Sequence, residues 1–116
     1  MAISVRGYGM RVSRKIRRLV DRRVAFELSR FGRQVRTVTV NLEDLNGPRG
    51  GVDKRCSMEA DMAPGGRVRV EKTDSDLRAA IGRTAARLAR AVARALERRR
   101  EASKGSFGEW REREGA

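Results

Sequence analysis

Lys54-Arg-Cys-Ser-Met-Glu-Ala-Asp-Met62, then Ala63-Pro-Gly-Gly66, then Arg67-Val-Arg-Val-Glu71, is the stretch on which the fold turns. Cys56, Met58, Ala60 and Met62 alternate with Arg55, Ser57, Glu59 and Asp61. That period of two marks a strand with one covered and one solvated face. Pro64-Gly-Gly66 is a hairpin turn signal. Val68 and Val70 repeat the alternation on the returning strand. The pair presents one apolar face, and that face requires a second layer to cover it.

Upstream, Val35-Arg-Thr-Val-Thr-Val-Asn-Leu42 is rich in β-branched residues, with Val38, Val40 and Leu42 on one side. Asn46-Gly-Pro-Arg-Gly-Gly51, between it and Lys54, reads as a loop. Ala2 to Arg6 reads as a short first strand carrying Ile3 and Val5, with Gly7 and Gly9 in the following turn. Ser13 then caps a helix in which Ile16, Val20, Val24, Leu28 and Phe31 recur every three or four residues. The helix is expected to run to about Arg30 and stop at Gly32. Downstream, the acids Asp74 and Asp76 suit the start of a second helix. Its stripe is Leu77, Ile81, Ala85, Leu88, Val92 and Leu96, and it is expected to reach about Ala102. The remainder, GSFGEWREREGA, has no periodicity and reads as a flexible tail. The expected architecture is α+β, a two-layer sandwich of order β-α-β-β-β-α. A four-stranded sheet, its last three strands following in antiparallel hairpin fashion, carries two helices on one face; residues 1–104 form the domain and 105–116 the tail.

Catalysis finds little material in these 116 residues. There is no histidine, which removes the commonest general base and metal ligand. The single Cys56 lies mid-strand on the apolar side and reads as a small buried hydrophobe. Glu43 and Asp44 end a strand, while Asp74 and Asp76 suit capping. Gly50-Gly51 lacks the Lys-Ser/Thr of a phosphate-cradling loop. No catalytic residue, metal, cofactor or small-molecule substrate is therefore expected. The N-terminus, MAISVRGYGM, has no signal-length apolar run, and no stretch could span a bilayer. A cytoplasmic protein without a membrane partner is the expectation.

The charge is the strongest signal: 28 Lys and Arg against 15 acids, net +13. Such an excess concentrates polyanions near the chain. Arginine dominates, and its planar fork matches phosphate oxygens in pairs. On the second helix Arg83, Arg87, Arg90 and Arg94 share a face, which Arg98 extends; no acid lies between Asp76 and Glu97. Like charges at this spacing repel by a few tenths of a kcal/mol each, so the stacking points to an anionic partner. On the first helix Arg11, Lys15, Arg18 and Arg22 share a face that Arg14, Arg17 and Arg23 thicken, diluted by Asp21 and Glu27. No strand presents an aromatic pair for stacking bases. Phosphate and shape recognition of structured RNA fits these features. A lipid-surface role fits less well, because the second helix's apolar face is narrow, Ala-rich and needed by the sheet.

Asp76-Leu-Arg-Ala-Ala-Ile81-Gly and Arg87-Leu-Ala-Arg-Ala-Val92, with Ile16, Val20, Val24 and Phe31 ahead of a Val-rich strand, resemble the ribosome hibernation promoting factor family, also called ribosome-associated inhibitor A or protein Y. The resemblance spans roughly residues 1 to 100. Arg78 stands where the family usually has Tyr, Gly82 and Ala89 stand where it has acids, and the 46–54 loop is longer and more basic. The resemblance implies a fold similar to a double-stranded-RNA-binding domain. It also implies docking on 16S-type rRNA in the small-subunit channel, with translation blocked and idle ribosomes preserved. The chain is similar to the family's short form, without the C-terminal dimerisation domain. The candidate RNA-binding residues are Lys15, Arg18, Arg22, Arg23, Arg83, Arg87, Arg90, Arg94 and Arg98. The alternative is a transcriptional modulator that binds nucleic acid or protein.

Overall fold

The computed structural model describes residues 1–45 and 53–115, with side chains through Ala102. The elements are β1 (Ala2–Tyr8), α1 (Arg14–Leu28), a 3-10 segment (Ser29–Gln34), β2 (Val35–Asp44), β3 (Lys54–Met62), β4 (Arg67–Asp74) and α2 (Leu77–Gly115). The loop expected at 46–51 lies outside the described residues.

The four strands lie side by side in sequence order. β2 pairs antiparallel with β3, and β3 with β4, whereas β1 runs parallel to β2. The sheet is thus mixed: β2, β3 and β4 are antiparallel as expected, and β1 adds a parallel edge. Side-chain alternation reports which face is covered but is blind to strand direction. Here α1 crosses between β1 and β2, and such a crossover returns the chain in the direction it left.

The register sorts residues into rows across the sheet. Val5, Val40, Met58 and Val70 form one row, and Ile3, Val38, Ala60 and Val68 another. These rows face the helices. Ser4, Thr39, Glu59 and Arg69, and Arg6, Asn41, Ser57 and Glu71, form rows of the opposite, polar face. A bulge between Val35 and Thr37 resets the alternation, so both Val35 and Val38 reach the core.

α1 starts where expected: Ser13 Oγ accepts the Ile16 N–H at 3.2 Å. It buries Val20, Val24 and Leu28 and ends at Leu28. The chain then tightens into the 3-10 segment, broken at Gly32, whose φ of +56° suits glycine. Asp76 Oδ1 accepts the Arg78 N–H at 3.1 Å and opens α2. Ile81, Ala85, Leu88 and Val92 are fully buried. Each such aliphatic side chain larger than alanine contributes about 1.5–3 kcal/mol on burial. Thr84 shares that stripe: its hydroxyl donates to Ala80 O at 2.6 Å, with Cys56 O at 3.4 Å. Past Ala102 the backbone of α2 continues helical to Gly115, so the segment read as a tail from residue 105 follows the helical path through 115.

Candidate nucleic-acid interface

The interface is built on the outward sides of α1 and α2. α1 carries six cations and two acids, and α2 through Ala102 carries eight and two, so the two helices hold +10 of the net +13. The open face of the sheet differs. Arg6, Arg55, Arg67 and Arg69 there are matched by Glu43, Glu59, Asp61 and Glu71, a net charge of zero. Three of these arginines are ion-paired: Arg55 with Glu43 at 3.4 Å, Arg67 with Glu59 at 3.6 Å, and Arg69 with Glu71 at 3.4 Å. The fold therefore segregates charge, with a cationic helix layer on one side and a self-neutralised sheet on the other.

Where the helices begin, Arg14, Lys15, Arg18, Leu19 and Arg22 of α1 and Arg78 of α2 line a groove of about 590 Å³. The groove continues past Ser13, Ile16 and Leu77. The first turns of both helices thus meet here. A helix N-terminus carries roughly half a positive charge, so a cation in its first turn is unfavourable by about 0.3–1 kcal/mol. The first turn of α1 holds no acid and begins Arg14-Lys15. Five cationic side chains and the N-terminus of α1 converge on one groove, while Asp76 caps the start of α2, an arrangement that favours an anion at the α1 side.

The expected site residues divide into three groups. Lys15, Arg18 and Arg22 are exposed and share the groove. Arg87, Arg90, Arg94 and Arg98 are exposed along α2 and have no ion-pair partner among the described residues. Arg23 packs against α2, and Arg83 is held by an ion pair. The half-buried Arg23 guanidinium lies over Gly82 of α2, where a Cβ would approach Nη2 to 2.8 Å. Arg83 Nη1 pairs with Asp74 Oδ2 at 2.9 Å. The Asp74 carboxyl is pulled below its ordinary range by the hydrogen bond from the Asp76 backbone N–H, and further by Arg83. Arg83 keeps 69 % side-chain exposure, so it still faces solvent.

Arg14 and Arg78 complete the groove and were missing from the expected set. Arg14 was read only as thickening the first helix. Arg78 was read as a departure from the family pattern, yet its place one turn from two capping acids was a usable signal. Arg99, also on α2, points the other way and binds the β3–β4 turn: Nη1 donates to Ala63 O at 2.7 Å and Nη2 to Gly65 O. Arg36 donates to Pro64 O of the same turn at 3.2 Å. The Cys56 thiol is fully buried and pushed up to about 11 by desolvation, so it is no nucleophile at neutral pH. Among the described residues no group of His, Cys, Asp and Glu could hold a metal, and no helix is long and apolar enough to cross a membrane.

Comparison with known proteins bears on this arrangement. The N-terminal domain of Protein Y from Thermus thermophilus is similar, with 30% identity over 81% of this chain and 98% of that one and a TM-score of 0.69. A ribosomal subunit interface protein from Coxiella burnetii shares the fold at 13% identity and a TM-score of 0.69, over 84% of this chain and 99% of that one. No curated protein sequence matches. The family model described as sigma 54 modulation protein / S30EA ribosomal protein matches residues 3–100, almost the whole of the fold and both basic helices, and the chain belongs to that family.

Proposed function

We propose that the protein is a ribosome hibernation factor of the cytoplasm. It docks through its helix layer on 16S-type rRNA of the small subunit and silences translation by occupying space, without chemistry. The observation that carries this reading is the segregation of charge: +10 on the helices against zero on the open sheet face. A charge excess serving only solubility has no reason to avoid one face, and here it accumulates despite like-charge repulsion and the opposing dipole of α1. The family's description as a ribosomal protein supports the choice of polyanion. Lys15, Arg18, Arg22, Arg87, Arg90, Arg94 and Arg98 are the proposed phosphate contacts, with Arg14 and Arg78 added by the groove. Arg23 contributes from its place over Gly82, and Arg83 from its ion pair with Asp74.

The test is cosedimentation with 30S and 70S particles at increasing salt, beside inhibition of translation in a reconstituted system. Six to ten phosphate contacts lose roughly 10³ to 10⁵ in affinity from about 50 to 200 mM salt. Binding that is indifferent to salt contradicts the reading. The family description also names modulation of sigma 54, a transcription role. Competition with duplex DNA at fixed salt separates the two: ribosomes should displace DNA, and the reverse order favours the transcriptional reading.

A further inference from the structure

Phe26 is 76 % exposed, against 49 % for Tyr8, 47 % for Met1 and 41 % for Leu45. It sits in the last turn of α1, where a large aromatic is neither needed by the core nor favoured by solvent. Its position is specific. Lys15, Arg18, Arg22 and Phe26 follow spacings of three, four and four, so Phe26 continues the row that lines the basic groove. It stands about 6 Å along the axis from Arg22, one turn beyond the last groove residue.

Its helix neighbours decide what it can receive. The residues three and four positions away are Arg22, Arg23, Ser29 and Arg30, all cationic or polar. Arg30 is turned onto Phe31, with its guanidinium 4.7 Å from that ring's centre. A protein-docking patch needs contiguous apolar surface, and these neighbours supply none. A lone aromatic ring in a cationic field instead matches a nucleotide, whose base offers a π-face and whose phosphate seeks arginine.

We infer that Phe26 is a stacking platform for an unpaired base of the bound RNA, with that nucleotide's backbone phosphate held by Arg22 in the groove. The inference rests on the RNA-docking reading and adds to it. Duplex phosphates account for the arginine rows, but a ring stacks only on a base that has left its helix. The interface therefore spans a junction between paired and unpaired RNA.

The test uses the full chain, a blunt RNA duplex, and a single-stranded RNA with the same number of phosphates, with affinities read by fluorescence anisotropy. Phe26→Ala places a good helix former at an exposed site, so the fold is retained, as circular dichroism will show. The variant should bind the duplex as the wild type does and lose about fivefold or more on the single strand. Phe26→Trp should restore single-strand binding. Unchanged single-strand affinity in Phe26→Ala overturns the inference, as does an equal loss on both RNAs. Weaker ribosome binding with both RNA affinities intact overturns it in favour of a ribosomal-protein contact. If the wild type binds neither RNA, the docking reading itself fails, and this inference with it.

Discussion

Two glycine substitutions expose the difference between a side chain that can yield and a backbone that cannot. Gly82 is a buried glycine in the interior of α2. Alanine is favoured over glycine in a helix interior by about 1 kcal/mol. The opposing term is steric. A Cβ at Gly82 meets Nη2, Nε and Cζ of Arg23 at 2.8, 3.3 and 3.4 Å. All three atoms belong to the end of one flexible side chain, and that guanidinium can swing away at a small cost. Gly82→Ala should therefore stabilise the fold by about 0.5–1 kcal/mol. With a urea dependence of about 1–3 kcal/mol per M, the unfolding midpoint should rise by roughly 0.2–1 M. Gly7 is the contrast, since a Cβ there meets the Met10 carbonyl oxygen at 2.5 Å and Val12 Cγ2 at 3.0 Å. Backbone must move, so Gly7→Ala should destabilise by at least about 1 kcal/mol. Urea titrations of both variants, followed by far-ultraviolet circular dichroism, check the pair. A lowered midpoint for Gly82→Ala would refute the reasoning, because it would mean that Arg23 is fixed in place.

Arg99→Met should cost about 1 kcal/mol in urea unfolding by freeing the Ala63 and Gly65 carbonyls, and should speed amide exchange at Met62, whose N–H donates to Gly66 O across the same turn. Because the Asp74 carboxyl has a lowered folded-state value, its stabilising effect is present above the ordinary carboxylate range and fades as pH falls through that lowered value. The stability difference between wild type and Asp74→Asn should accordingly be full at pH 6 and shrink at pH values below about 4, read from urea titrations across the range. Cys56 should resist a thiol reagent at pH 8 in the folded protein and react promptly in denaturant, since burial blocks access and holds its thiol protonated up to about 11.

Period-two alternation located β3 at Lys54–Met62, and the 3.6-residue stripe located the faces that α1 and α2 bury. Both signals come from burial, which leaves a direct trace in residue type. Strand direction leaves no such trace, so the parallel pairing of β1 with β2 had to come from the structure. β4 runs on to Asp74, beyond the expected Glu71, because Thr73 and Asp74 keep pairing with Arg55 and Lys54. Exposed arginines look alike in sequence, yet they take different tasks according to what stands opposite. Arg99 meets the carbonyls of a turn, Arg83 meets Asp74, and Arg23 meets a glycine whose missing side chain makes room for it. Those partners lie many residues away, so spacing alone could not assign them. The isolated Gly82 in a helical stripe was the available hint that another element packs closely there.

The central claim is that the place of the positive charge, and not its sum, selects the partner. Two triple variants measure this with equal net charge: Arg87, Arg90 and Arg94 to Glu on α2, and Arg6, Arg67 and Arg69 to Glu on the open sheet face. All six side chains are exposed, and circular dichroism checks that both variants fold, the sheet variant with lower stability because it sets Glu opposite Glu59 and Asp61. Cosedimentation with ribosomes at one fixed salt concentration should be abolished in the helix variant and retained in the sheet variant. Equal loss in both, or loss in the sheet variant alone, would contradict the account.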